Sequence, residues 1–376
     1  MRGTTRYTGM LALVLALALV AAACGDSTTD TTDTTAAPAT TEGSPDTTGA
    51  PEDTTATTAA PETTAATETT EPMETVEIDY LTSFSTFGRD AYVYVAEELG
   101  YFDEVGLDVT INPGSGTVDV MRLIAAGTAD FGPGDAATAM LTIANQGVEV
   151  KAVAAIQQNT LAALATTEGT GIATVEDLEN KTFADAAGST VRILFPFYAE
   201  AAGFDDSTVE FVPAPPPDLP RLLASGEVDY IGQFVVGKGL IESATGDTAV
   251  FFPYSDYLPD LYGNLLMTRQ EMIDEQPEVV ERFVGALLRG LEYSIANPEE
   301  TGEILVAAVP EQNADVAAGE VVIMAPYVMP DGFADPIGTI DPTKVQTIID
   351  QLSEAGALEN EITPDDVYAP GFVTGG

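Results

Sequence analysis

Leu123 to Gly132 reads LIAAGTADFG, and Leu222 to Gly232 reads LLASGEVDYIG. In each copy an apolar helix ends in a glycine able to take the left-handed cap, two residues follow, and Asp plus an aromatic residue start a strand. The copies lie about 100 residues apart, too far for a solenoid repeat. The echo therefore predicts two lobes, each built from the same βαβ unit. The flanking pattern agrees. Glu77 to Leu81 reads as a strand, about Arg89 to Leu99 as a helix stopped at Gly100, Val105 to Ile111 as a strand, and Val118 to Ala126 as a helix. Ala129 to Gly132 follows as a strand, and Asp135 can cap the helix ATAMLTIANQ. A similar alternation runs from Lys181 to about Phe252, and Arg269 to Leu358 is mostly helical, with PEVVERFVGALLRGLEYSIANP the clearest amphipathic stretch. Strand and helix taking turns argue for a parallel α/β architecture.

The N-terminus has a different character. Arg2 and Arg6 form a positive segment, Leu11 to Val20 an apolar one, and Ala21 to Ala23 a small-residue cleavage context. Cys24, the single cysteine of 376 residues, follows at once. This arrangement resembles the lipobox of bacterial lipoproteins, in which the signal (here residues 1–23) is cut off and the cysteine is acylated as residue one. The alternative, a leftover thiol exposed outside the cell, would be a liability. The apolar run is short for a membrane span of ~20 residues, so the resemblance implies a lipid anchor rather than a spanning helix. Residues 24–75 are mostly Thr, Ala, Pro, Asp and Glu, with no aromatic or basic side chain. Such a segment buries too little apolar surface to offset its ordering entropy and is expected to be an extended tether.

What remains is about 300 residues, enough for two lobes by ordinary domain size. The whole chain has no histidine, which excludes Ser-His-Asp and Cys-His nucleophiles and zinc sites of the Cys/His type. No Asp-rich loop has the spacing of a calcium hand. Of 60 acidic residues the tether carries 11, and of 13 basic residues the signal carries two. So acidic a domain excludes nucleic acid as a partner, because phosphate binding needs Lys and Arg. The acidity fits an adaptation of the whole surface and says little about a buried pocket. GQFVVGKG (Gly232 to Gly239) approaches a phosphate loop, but Gly239 stands where the magnesium-binding Ser or Thr belongs, and a strand-to-helix turn fits better.

In open α/β sheets ligands sit beyond the carboxyl ends of strands, at helix N-termini. Five such handovers are rich in hydroxyls and glycine: Ser83 to Arg89 with Tyr92 a turn on, Gly114 to Thr117, Gly134-Asp135, Gly188 to Arg192, and Gly232 to Phe234. Any one can be ordinary capping. Five, divided between two lobes, point to a shared cleft. The candidate ligand-binding residues are Ser83, Thr86, Phe87, Arg89, Tyr92, Ser115, Gly116, Thr117 and Asp135 on the first lobe. Gln157, Ser189, Thr190, Arg192, Gln233, Phe234 and Asn264 complete the set. Phe84, Phe87, Tyr92 and Phe234 could stack a flat ring or belong to the core. Arg89 could meet an anion or pair with a surface acid, and Asp135 could bind an amino group or only cap its helix.

AYVYVAEELGYFDEVGLDVTI, the segment A-G-x-A-D-F, IATVEDLENKTFA and YGNLLMTRQEMIDEQPEVVERFVGALLRGLEY together resemble the substrate-binding proteins of ABC importers. The group they resemble handles nitrate, sulfonates, taurine and thiamine-pyrimidine precursors. The resemblance spans roughly Val76 to Val373. It implies a type II periplasmic-binding-protein clamshell, with lobe 1 at residues 76–170 and 265–376 and lobe 2 at 171–264. The crossings are expected near Glu168 to Thr174 and Leu261 to Thr268. It further implies a monomer on the extracytoplasmic face of the cell membrane, anchored through Cys24, that binds a small solute and hands it to an importer permease. No cofactor or metal is expected. The same superfamily includes a thiamine pyrimidine synthase that consumes its own histidine and needs iron and pyridoxal phosphate; this chain has no histidine to donate. A heteroaromatic cargo is suggested by the aromatic residues of the first loop, an anionic one by Arg89 and Arg192, and the two stay open.

Overall fold

The computed structural model describes residues 74–373; the signal, Cys24 and all but the last two residues of the tether lie outside the described residues. The chain enters as β1 (Val76–Leu81), turns through β2 (Phe84–Ser85), descends α1 (Ala91–Glu98) and returns as β3 (Leu107–Asn112). β4 (Gly114–Ser115), α2 (Thr117–Ala125), β5 (Phe131–Asp135), α3 (Ala136–Gln146) and β6 (Val150–Ala155) follow. β7 (Ala162–Thr167) opens a second sheet, continued by β8 (Thr182–Asp185), α4 (Thr190–Ala202), β9 (Glu210–Pro213), α5 (Leu219–Ser225), β10 (Tyr230–Phe234), α6 (Lys238–Thr245) and β11 (Ala249–Pro253). β12 (Asn264–Arg269) rejoins the first sheet. Six helices then follow: α7 (Gln270–Glu275), α8 (Pro277–Ala296), α9 (Pro298–Ala308), α10 (Ala314–Val328), α11 (Pro342–Glu354) and α12 (Pro364–Val367).

The two sheets are topological copies. The first has the order β3-β1-β5-β12-β6 and the second, read in the matching direction, β9-β8-β10-β7-β11. In each, three parallel strands adjoin an antiparallel fourth, which is the strand that crosses between the sheets. The sequence echo marks equivalent positions in this plan. Gly127 and Gly226 both close their helices in the left-handed region, at φ 68° and 71°. The Asp that follows then ties neighbouring strands. Asp130 Oδ2 accepts from Asp79 N at 2.9 Å, as Asp229 Oδ2 accepts from Thr182 N at 2.8 Å. Their carbonyls accept from Thr268 Oγ1 and Thr166 Oγ1, at 2.8 and 2.7 Å, each on the antiparallel strand. One short motif thus sets parallel pairing and the crossover strand in both halves.

The first passage between the sheets runs over residues 156–161, upstream of the expected Glu168 to Thr174, which instead follows β7 inside the second unit. The return runs over residues 254–263, slightly ahead of the expected Leu261 to Thr268. Gln157 Oε1 accepts from Asn264 N at 2.9 Å and so joins the two passages. The segment leading into α11, and α11 itself, pin them from outside. Gln158 Nε2 donates to Thr339 O at 2.9 Å, Lys344 Nζ donates to Gln158 O at 2.7 Å, and Asp341 N donates to Tyr262 Oη at 2.7 Å.

The first sheet's core is organised around Phe283 of α8, stacked on Phe131 at 4.1 Å and Phe102 at 5.3 Å. Behind it α8 lies so close to α1 that a Cβ on Gly290 would come within 2.4 Å of the Tyr92 carbonyl. In the second sheet Phe183 stacks on Tyr230 at 5.2 Å and Tyr198 on Tyr254 at 4.4 Å. Met140 of α3 and Val345, Ile348 and Leu352 of α11 belong to the same apolar cluster as Phe183 and Tyr198, so packing is continuous from one sheet to the other.

Candidate ligand-binding site

The carboxyl ends of β1, β3 and β5 share one loop system. After β1, Thr82 Oγ1 accepts from Gly114 N at 3.0 Å and donates to Ser85 O. Ser83 donates its N–H and its hydroxyl to Asp90 Oδ1, at 3.0 and 2.7 Å. Those bonds present β2 to β4, where Phe84 pairs with Ser115 and stays 56% exposed. Gly116, at φ 104°, takes a conformation that a side chain would resist, and the Phe84 ring lies 3.9 Å from where its Cβ would be. Next comes Thr117, whose Oγ1 accepts from Asp135 N at 3.0 Å. Asp135 ends β5 and caps α3, accepting from Thr138 N at 2.9 Å and Thr138 Oγ1 at 2.8 Å.

The second sheet offers the matching edge. At the end of β8, Asp185 accepts from Ala186 N at 2.7 Å and from the Ser189 hydroxyl, and Ser189 caps α4 through Arg192 N at 3.0 Å. Thr190, the first residue of α4, donates to Asp135 Oδ1 at 3.0 Å and lies 2.7 Å from Thr138 Oγ1. The N-termini of α3 and α4 therefore meet across the boundary between the sheets, with the Asp135 carboxylate between them. Its Oδ1 takes three donors. Its Oδ2 has no hydrogen-bond partner among the described residues, and the residue is 6% exposed. Asn264 is the register partner of Asp135 and is half-buried, and its side-chain amide has no partner among the described residues. Burial raises the pKa of Asp135; the amide and hydroxyls of Thr138 and the hydroxyl of Thr190 work against it, and no cation does. Asp185 is raised likewise by burial, with Ser189, Ala186 and Arg192 opposing.

Ser115, Gly116, Thr117, Asp135, Ser189, Thr190 and Asn264 thus gather on one seam. Phe234, 37% exposed, ends β10, the strand that neighbours β8 in the second sheet. Gln233 turns back on its own loop: its Oε1 accepts from Phe234 N at 2.9 Å, and its Cδ lies 2.7 Å from where a Cβ on Gly237 would be. Ser83 reaches the seam through its backbone only, its hydroxyl being committed to Asp90.

Six further candidates face elsewhere. Tyr92 is core, 1% exposed, its hydroxyl 3.1 Å from that of Tyr80. Thr86 and Phe87 lie against the C-terminal helices: the Thr86 carbonyl accepts from Gln312 Nε2 at 2.7 Å, and Phe87 carries the Arg89 guanidinium 4.9 Å above its ring. Arg89 is also drawn to Asp90, at 3.7 Å, and its N–H to Glu320. Arg192 lies 4.5 Å over the Phe211 ring and lines a separate cavity of about 610 Å³ between α4 and the end of α11. Gln157 is the bracket between the passages. Arg192 is drawn to the ring of Phe211, which only the fold brings near, whereas Arg89 is held by Phe87 and Asp90 of its own turn and by Glu320 of α10. Thr138, Asp185 and Asp90 were missed, although the spacing of Asp185 to Ser189 and Thr190 is close to that of Asp135 to Thr138.

Residues 90–301, more than half of the chain, match the family model described as "NMT1/THI5 like". The chain is 24% identical over 294 residues to the formylaminopyrimidine-binding protein of Halalkalibacterium halodurans, which covers 74% of this chain and 85% of that one. It is 25% identical over 235 residues to the 4-amino-5-hydroxymethyl-2-methylpyrimidine phosphate synthase of Legionella pneumophila, covering 58% of this chain and 69% of that one. In three dimensions it resembles the alkanesulfonate-binding protein SsuA from Xanthomonas axonopodis pv. citri bound to MOPS, with a TM-score of 0.62 at 13% identity, over 78% of this chain and 99% of that one. The fold is that of the periplasmic binding proteins, and the chain belongs to the NMT1/THI5-like family.

Proposed function

We propose that this chain is the solute receptor of an ABC importer, held at the extracytoplasmic face of the cell membrane by a lipid on Cys24. It takes up a small polar or heteroaromatic solute between its sheets as a monomer and passes it to the importer permease. The observation that carries this reading is the meeting of Asp135 and Thr190, at 3.0 Å, which makes one seam from the carboxyl ends of two separate sheets. A solute there is desolvated from both sides, with backbone and hydroxyl donors, the Asn264 amide and the exposed rings of Phe84 and Phe234 within the same loop system. Residues 76–161 with 254–373 would form one lobe and 162–253 the other.

The Legionella relative is a synthase. Iron and pyridoxal phosphate do not fit the residues present here. The chain has no histidine, and no group of three His, Cys, Asp or Glu among the described residues could hold a metal ion. Of the lysines, Lys344 and Lys151 donate to backbone carbonyls and Lys238 pairs with Glu242 at 3.9 Å. The receptor reading accounts for the site without them.

The test is a thermal-shift screen of the purified protein against pyrimidines, flavins, sulfonates, nitrate and amino acids. A solute at ~100 times its Kd adds ~2.7 kcal/mol of stability, a clear rise in Tm. The expected result is at least one such solute, with the shift lost in Asn264→Ala and Phe234→Ala. No shift from any solute contradicts the reading. The anchor is tested separately: Cys24→Ser should move the protein from the membrane fraction to the soluble one.

A further inference from the structure

We infer that the cavity between α4 and the end of α11, apart from the seam, is a second ligand site. It takes a zwitterion with an apolar body, an amino acid or short peptide whose carboxylate meets Arg192. This site goes beyond the receptor reading and does not depend on it.

Arg192 itself is the first observation. The chain has 60 acidic residues against 13 basic ones. Every other arginine among the described residues holds an acid, an amide or a carbonyl, from Asp90 at Arg89 to Glu104 at Arg289. The Arg192 guanidinium has no hydrogen bond and no ion pair among the described residues. What holds it is the Phe211 ring, 4.5 Å away. A ring against the face of a guanidinium leaves its edge of N–H donors open to a planar, two-oxygen acceptor, and a carboxylate has that shape.

The walls supply the body of the ligand. The cavity measures about 610 Å³, within the range of small-molecule sites. Ile193 and Phe197 line it from the same face of α4 as Arg192, with Phe211 beside them, so an apolar group is covered next to the guanidinium.

Charge then selects the zwitterion. Glu200 of α4 and Glu354 at the end of α11 line the same space, and neither pairs with Arg192. The carboxyl end of α11 adds carbonyl dipoles of the same sign. A plain anion is repelled by these acids and a plain cation by Arg192, whereas a molecule with one charge of each kind is matched at both ends. Arg192 and Glu200 stand about 12 Å apart along the helix axis. Two long side chains and an extended dipeptide, about 7 Å between its termini, span that length.

The two walls belong to different halves of the molecule. Arg192, Glu200 and Phe211 stand on the second sheet and its helix α4. The turn after α11 is tied to α3 of the first: Asn145 Nδ2 donates to Ala357 O at 2.9 Å, and Asn145 Oδ1 accepts from Glu359 N at 2.7 Å. A ligand lodged here therefore bridges the halves at a point other than the seam.

The test is calorimetry on the purified protein at neutral pH. The probes are L-phenylalanine and the dipeptide leucyl-phenylalanine, against the N-acetyl and C-terminal amide forms of that dipeptide. At least one of the first two is expected to bind, and neither blocked form. Arg192→Gln should weaken binding by about tenfold or more, and Glu200→Gln should weaken it less. Both variants should keep a Tm near the parent's, because neither side chain has another polar partner among the described residues. Asn264→Ala, which strips the seam of its amide, should leave this binding unchanged. Hydrogen exchange with the bound probe should show protection at residues 192–200 and 353–357 together. The inference is overturned if neither zwitterion binds, if a blocked form binds equally well, or if Arg192→Gln makes no difference; the receptor reading then still rests on its own solute panel. A zwitterion whose binding survives Arg192→Gln but is lost in Asn264→Ala is a solute of the seam, which overturns this inference and supports the receptor reading.

Discussion

Asp90 is buried directly behind the first loop, one oxygen taken by Ser83 and the other without a hydrogen-bond partner among the described residues, 3.7 Å from Arg89 Nε. Burial raises its pKa, with Arg89 and Ser83 pulling the other way. The carboxylate touches no solute, yet it decides where Ser83, and hence Phe84, can stand. Asp90→Ala strips the Ser83 N–H of its acceptor in a dry setting and should cost about 1–3 kcal/mol in urea unfolding. Asp90→Asn keeps an acceptor and removes the buried charge, so it should cost less. Equal losses for the two would contradict this role. Side chains are where sequence reading reached least. Whether Asp135 caps α3 was legible from the residues after it. Whether Arg89 meets a ligand was not, because its partners Glu320 and Asp90 come from a distant helix and from the buried side of the same turn.

Helices α1 and α8 interlock because Gly290 lets the two backbones touch. Gly290→Val puts a branched side chain against the Tyr92 carbonyl and the Ala96 methyl, and should cost at least about 1–3 kcal/mol by denaturant titration. A variant as stable as the parent would mean that the helices can separate freely. At this scale the sequence was more informative. The echo of LIAAGTADFG and LLASGEVDYIG lies on equivalent turns of equivalent sheets, and its Asp residues make the same strand-bridging bonds. Glycine caps and strand-starting Asp are local chemistry, so they can be read locally. The first passage was misplaced because EGTGIAT carries the glycines and threonines of a hinge, whereas the true passage is held by pairing between Gln157 and Asn264, far apart in the chain.

The whole molecule is strongly acidic, at net −47, and several of its carboxylates are buried. Asp90, Asp135, Asp185 and Glu320 have pKa values raised chiefly by burial. Their folded values lie above the unfolded ones, so the folded state holds more protons in the window between, and stability falls as pH rises through it. Exposed Asp177 and Asp366 in capping boxes are lowered by hydrogen bonds and contribute stability that is lost as pH falls through their folded values. Tm should therefore be higher near about pH 5 than at about pH 8, and drop again below about pH 4. A steady rise from pH 5 to 8 would show that burial does not govern these groups. The central claim is that one solute is gripped by two sheets, and hydrogen exchange of the purified protein with and without a binding solute tests it most directly. The account predicts added protection on both sides of the seam together, at residues 114–117 and 135–138 in one half and 186–192 and 232–236 in the other. Protection confined to one half, or lying at the cavity beside Arg192, would contradict it.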